Sequence, residues 1–269
     1  MANMRQGVPL GPSPPVERSV MRPVAWLTAS LLACAPAHAA EQVDLALALV
    51  TDVSRSVDDG EFDLEKQGYV AAFTSPQVLA AIHGGPIGAI AVTYIEFASN
   101  YEIKTVLDWT VVRDESSADA FVDRLSHAPR SFYGRTSISA GVDRAVEAFV
   151  EGGFETVRRV IDVCGDGTNN AGRDVTAARD DAVKAGITIN GLAIINDHPM
   201  SWTYAHVQPP GGLTNYYREN VIGGTGSFVL EVHDFHVFGE AMTRKLVSEI
   251  AMRAVDPRSA PSAVASLSR

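Results

Sequence analysis

Short apolar runs alternate with segments whose apolar residues recur every three or four positions, from Val43 to Ile250. Val43–Val50 reads VDLALALV, a run that suits a strand buried on both faces of a parallel sheet. Asp58 and Glu61 then form a capping-box signal, and Phe62, Tyr69, Val70 and Phe73 give the helix behind it an apolar face. Gly88–Phe97 is a second strand. Tyr101–Trp109 follows after only Ala98–Asn100, too short for a crossover helix, so it is expected as an antiparallel edge strand. Helical spacing returns at Ala118, Phe121, Val122 and Leu125, and again at Ile138, Val142, Ala145 and Phe149. The strand Val157–Cys164, a helix marked by Val175, Ala178, Ala182 and Val183, and the strand Ile187–Ile195 come next. A short strand at Ser227–Val232 and a closing helix through Phe235, Phe238, Met242, Leu246 and Ile250 complete the pattern.

Strands alternating with amphipathic helices predict an α/β fold: a doubly wound, mostly parallel sheet with one antiparallel edge strand and helices on both faces. No repeat or linker divides residues 41–253, which read as one domain, and residues 254–269 read as a disordered tail. With 269 residues, 46% of them hydrophobic, the chain has material for one large core. Two cysteines exclude a disulfide scaffold, and no stretch reaches the roughly 20 apolar residues of a membrane span. A net charge of −10 argues against a nucleic-acid partner.

Residues 1–39 read as an address. Arg22 precedes the apolar run Val24–Ala35, and Ala37-His38-Ala39 has the small residues of a cleavage site. Residues 1–20 are an upstream extension, with Met21 a candidate start. Export to the periplasm or outside follows. Leu31-Leu32-Ala33-Cys34 offers an alternative, a lipoprotein anchored at Cys34. Cys164 is otherwise the only thiol, and reads as a buried residue at a strand end.

Three segments carry the candidate chemistry. Asp52-Val53-Ser54-Arg55-Ser56 follows the first strand, Gly134-Arg135-Thr136-Ser137 precedes a helix, and Gly165-Asp166-Gly167 follows the strand ending at Cys164. All lie where a doubly wound sheet places ligands, beyond the carboxyl ends of strands or close by. Alternate residues of an extended turn point the same way, so Asp52, Ser54 and Ser56 can converge, joined by Thr136 and Asp166. All five are hard oxygen ligands of the kind Mg²⁺ or Mn²⁺ takes, and the absence of thiolate and imidazole argues against Zn²⁺.

The D-x-S-x-S element Asp52-Ser54-Ser56, the later Thr136 and the Asp166-Gly167 pair resemble the metal-ion-dependent adhesion site of von Willebrand factor A-type domains, over roughly residues 41–253. More narrowly, the chain resembles exported bacterial proteins of this type whose function is undefined. The resemblance implies a Rossmann-like sheet. It also implies that Ser54, Ser56 and Thr136 bind the ion directly, with Asp52 and Asp166 near it or bridged by water. In the family the residue before the aspartate is usually threonine or serine, and here it is Gly165. Ser137 and Thr168 are nearby hydroxyls that could compensate.

The expected function is that of an exported binding module, not an enzyme, whose Mg²⁺ or Mn²⁺ ligates an acidic side chain of another protein. Alternatives are a metal-assisted hydrolase in the same pocket, or a domain whose metal only stabilises it. Trp202, Tyr204, Tyr216 and Tyr217, in the long Asp197–Gly226 segment, either line a binding surface or pack that segment onto the domain. His233 and His236 lack a third ligand alongside for zinc. Asn170 stands where a dinucleotide loop beginning at Gly165 needs its third glycine.

Overall fold

A computed structural model describes residues 11, 40–195, 209–233 and 237–252. The leader, Cys34, Trp202, Tyr204, His236 and the tail lie outside the described residues.

Six strands form one sheet in the order β3-β2-β1-β4-β5-β6. They are β1 (Leu45–Asp52), β2 (Ile90–Phe97), β3 (Ile103–Val112), β4 (Arg159–Gly165), β5 (Thr188–Ile194) and β6 (Val229–Val232). Every pairing is parallel except β2 with β3. The mostly parallel sheet with an antiparallel edge is therefore as expected, with β3 extending to Val112.

Seven α-helices accompany the sheet among the described residues: α1 (Asp59–Phe73), α2 (Pro76–His83), α3 (Glu115–His127), α4 (Ile138–Gly152), α5 (Val175–Lys184), α6 (Leu213–Tyr216) and α7 (Phe238–Ala251). A π-helical turn, Tyr217–Val221, continues α6. The capping box before α1 forms as read: Glu61 N–H donates to Asp58 Oδ1 at 2.9 Å, and Asp58 N–H to Glu61 Oε2 at 2.8 Å.

Side-chain alternation on β1 explains the two faces. Leu45, Leu47 and Leu49 pack with Tyr69 and Phe73 of α1, Val78 and Ile82 of α2, Phe121 of α3 and Phe238 and Met242 of α7. Ala48 and Val50 face the other way, against Ile138 and Val142 of α4, Ala178 of α5 and the α6 segment. All eight β1 residues are buried, as the unbroken apolar run requires.

Chain direction through the sheet reverses at β1. From β1 the chain moves outward through β2 to β3. It then returns to β4 on the other flank of β1 and proceeds to β5 and β6. Loops leaving the carboxyl ends of β1 and β4 therefore diverge to opposite faces and open a crevice between them. At the other pole, Gln42 and Val43, the turn Gly84–Ile87, Glu155–Arg158 and Ile250–Met252 line one hollow, so the domain's two ends emerge there together. No helix among the described residues is long and apolar enough to cross a membrane.

Candidate functional site

Asp52 ends β1 and Asp166 follows the last residue of β4, so the crevice brings both carboxylates to the sheet edge. Asp52 Oδ1 accepts the Ser54 N–H at 2.8 Å, an Asx turn that swings the chain out of the strand. The three hydroxyls then close on one another. Thr136 Oγ1 is 3.0 Å from Ser54 Oγ, Ser54 Oγ is 3.1 Å from Ser56 Oγ, and Ser56 Oγ donates to Asp166 Oδ1 at 2.7 Å. All five residues read from the sequence thus meet in one hydrogen-bonded cluster. Asp52, Ser54, Thr136 and Asp166 are buried, and Ser56 is partly open to solvent.

Residues that the motif does not name hold this geometry. Arg130, its side chain 4% exposed, donates from Nη2 to the carbonyls of Val53, Ser54 and Val57 at 2.8–2.9 Å. Its Nε donates to Phe132 O at 3.0 Å, and its guanidinium stacks 4.2 Å from the Tyr133 ring. One planar donor thus fastens the whole turn from Val53 to Val57. Thr136 is pinned by Asn170, whose Oδ1 accepts the Thr136 N–H at 3.1 Å and whose own N–H donates to Thr136 O at 2.9 Å. Asn169 Oδ1 accepts the Ser139 N–H at 3.0 Å, satisfying a first-turn donor of α4 where Ser137 makes no side-chain cap. The Ser137 hydroxyl pairs with Ser139 Oγ at 3.3 Å.

Electrostatically the cluster is short of positive charge. Burial pushes Asp52 up to about 8, helped by the neighbouring Asp166 carboxylate and opposed by the Ser54 hydrogen bonds and Arg130. Asp52 Oδ2 is buried with no hydrogen-bond partner. Behind the pair, Glu65 of α1 is pushed well above the usual carboxylate range, first by burial and further by Asp52 and Asp166. Cys164, the buried thiol at the end of β4, lies beside it. A buried carboxylate oxygen without a donor, beside three hydroxyl oxygens and a second carboxylate, suits a small hard cation in ligand type.

Tyr216 and Tyr217 pack their segment onto the domain. Tyr217 is fully buried and Tyr216 Oη accepts the Asn169 N–H at 3.1 Å. His233 pairs with Glu231 at 2.5 Å.

The profile of a family described as a protein of unknown function, DUF1194, matches residues 42–254. No curated protein matches the sequence. Among solved structures, the mussel byssus proximal thread matrix protein 1, in a form with zinc occupying its MIDAS motif, is 16% identical. That match covers 79% of this chain and 47% of the mussel chain, with a TM-score of 0.53. A von Willebrand factor type A protein from Catenulispora acidiphila is 12% identical, covering 77% of this chain and 43% of its own, with a TM-score of 0.54. The pilus adhesin SpaC from Lactobacillus rhamnosus GG is 14% identical, covering 78% of this chain and 31% of its own, with a TM-score of 0.52. This chain therefore spans less than half the length of each. The likeness is one of fold: the domain has the von Willebrand factor A-type architecture.

Proposed function

From the premise that the chain belongs to the DUF1194 family and has a von Willebrand factor A-type fold, we propose that it is a divalent-metal-dependent protein-binding module. The observation that carries this reading is the closure of Ser54, Ser56 and Thr136 around two carboxylates, one with an unpartnered buried oxygen. Ser54, Ser56 and Thr136 would hold Mg²⁺ or Mn²⁺, with Asp52 and Asp166 balancing its charge. Hydroxyl ligands leave such a cation electrophilic, so it supplies a coordination position for an Asp or Glu of a partner. Arg130 and Asn170 keep the hydroxyls converged, which lowers the ordering cost of binding. Ser56, the solvent-facing member of the set, marks the side from which the partner approaches.

Support also comes from the same fold in the mussel protein, whose own MIDAS motif holds zinc, and in the Lactobacillus pilus adhesin. The leader read at residues 21–39 places the module outside the cytoplasm, as a periplasmic or secreted protein or a lipoprotein anchored at Cys34. In this reading residues 41–253 are the working domain and no residue is assigned a catalytic role.

Mn²⁺ titration followed by water-proton relaxation tests both halves. Mn²⁺ bound with exchangeable water raises relaxation, and a peptide bearing a single glutamate then lowers it by taking the water's place. No Mn²⁺ binding at millimolar metal overturns the reading. Binding without any effect of the acidic peptide leaves a metal site but removes the recognition mechanism.

A further inference from the structure

The position before Asp166 is glycine where the resembled motif usually has a hydroxyl residue, and the surroundings of Gly165 show why. A Cβ there would meet Asp52 Cβ at 2.9 Å, Asp52 Oδ2 at 3.2 Å and the hydroxyl of Tyr217 at 2.9 Å. The space of a side chain at this position is already taken, and a phenol oxygen sits at its rim. Tyr217 arrives from the π-helical turn after α6, a distortion often found at functional positions. On the neighbouring strand β5, a Cβ on Gly191 would meet Tyr217 Cδ1 at 2.7 Å, so a second glycine makes room for the ring. Gly165 and Gly191 thus form a slot across β4 and β5 that fits this one tyrosine.

Two buried polar atoms lie beside the same point, the Asp52 Oδ2 acceptor and the Tyr217 O–H donor, and neither has a hydrogen-bond partner. A fully buried tyrosine usually pairs its hydroxyl, and the cost of leaving it bare is a penalty that ligand binding can recover. We propose that Tyr217 is a positioning residue of the metal site, supplying from the π turn the hydroxyl that Gly165 lacks and donating to Asp52 Oδ2 when the cation is bound. This rests on the metal-binding reading above. It assigns the α6 and π-turn segment, Leu213–Val221, a direct part in building the site.

The test compares wild type, Tyr217→Phe and Tyr101→Phe, the last an exposed tyrosine outside the site. Mn²⁺ affinity is measured by calorimetry, melting temperature in EDTA, and the near-ultraviolet tyrosine difference spectrum on adding Mg²⁺. Tyr217→Phe should weaken Mn²⁺ binding roughly tenfold, the scale of a lost hydrogen bond to a charged group. Its metal-free melting temperature should stay the same or rise, because only an unpartnered hydroxyl is removed. The Mg²⁺-induced tyrosine signal should vanish in Tyr217→Phe and persist in Tyr101→Phe. Equal Mn²⁺ affinity in wild type and Tyr217→Phe overturns this proposal while leaving the metal site standing. Absence of Mn²⁺ binding in wild type overturns both. The Mg²⁺-induced spectrum of the wild type is a further check that needs no variant: no tyrosine perturbation in a metal-binding wild type also overturns the assignment.

Discussion

Asp52 carries the heaviest demand of any single residue. It turns the chain through the Ser54 N–H and keeps its second oxygen buried without a hydrogen-bond partner. Asp52→Ala should reduce Mn²⁺ affinity at least a hundredfold in calorimetry while the metal-free fold persists, since the group removed is buried and has one oxygen without a partner. Arg130→Ala tests the clamp. Three carbonyls lose their shared donor, so a loss of about 2–4 kcal/mol in denaturant unfolding is expected, with weaker Mn²⁺ binding because the Val53–Val57 turn loosens. The five motif residues were legible because their order and residue types recur at strand and helix boundaries. Arg130, Asn169 and Asn170 were not, and Tyr217 was legible only as one aromatic of the long segment. Their roles depend on partners far along the chain, such as Val53, 77 positions before Arg130, and no local spacing encodes them.

At the scale of elements, strands read as apolar runs held well, because a strand buried on both faces admits little else. Helix α2 has a weak sequence signature although Ser75 caps it and Pro76 opens it, since it is only two turns long and follows α1 directly. The α6 and π-turn segment hid inside a glycine- and proline-rich stretch that reads as loop. Close approach of elements left a clearer trace. Gly141 of α4 lies against β1 and β2, where a Cβ would meet Val50 Cγ1 at 2.7 Å and Phe97 Cδ1 at 2.9 Å. An alanine inside a helix ordinarily gains about 1 kcal/mol over glycine. Here Gly141→Ala should instead destabilise by about 1–3 kcal/mol in denaturant titration, because α4 must move off the sheet. As Thr136 lies just before α4, Mn²⁺ affinity should fall in parallel. A stabilised variant would show that the contact relaxes without moving the helix.

Across the whole molecule, the last helix is tied to the sheet by a buried ionic group. Lys245 of α7 meets Asp162 of β4 at 2.5 Å and also pairs with Glu249, which accepts from Asn190 Nδ2 of β5 at 2.8 Å. Lys245→Ala strands two carboxylates in the core and should cost about 3–5 kcal/mol by chemical denaturation. Acidity is the second global signature. Burial and Asp162 push Glu249 up to about 7, while burial and Asp166 push Asp52 up to about 8. Each holds in the fold a proton that it releases at ordinary carboxylate pH when unfolded. Their contribution is therefore full below about pH 4 and is lost as pH rises through about 7 and 8. In EDTA the melting temperature should drop several degrees between about pH 5.5 and 9, and Mg²⁺ should restore more of it at the alkaline end. A melting temperature that climbs with pH over that range would contradict these protonation states. Fold class was open to sequence reading at this scale, whereas the ion group was not, because Asp162 sits within an otherwise apolar strand and its partners lie on α7.

Both ends of the domain leave by the hollow lined by Gln42 and Met252, one β1 length from the metal-proposed pole. Eight strand residues at about 3.3 Å each set that separation at roughly 25 Å. A module joined directly at Gln42 or Met252 therefore starts roughly 25 Å from the face that carries Ser56. Immobilised on a sensor chip through a linkage at Gln42 or at Met252, the domain should leave its receptive face equally open to a ligand in solution.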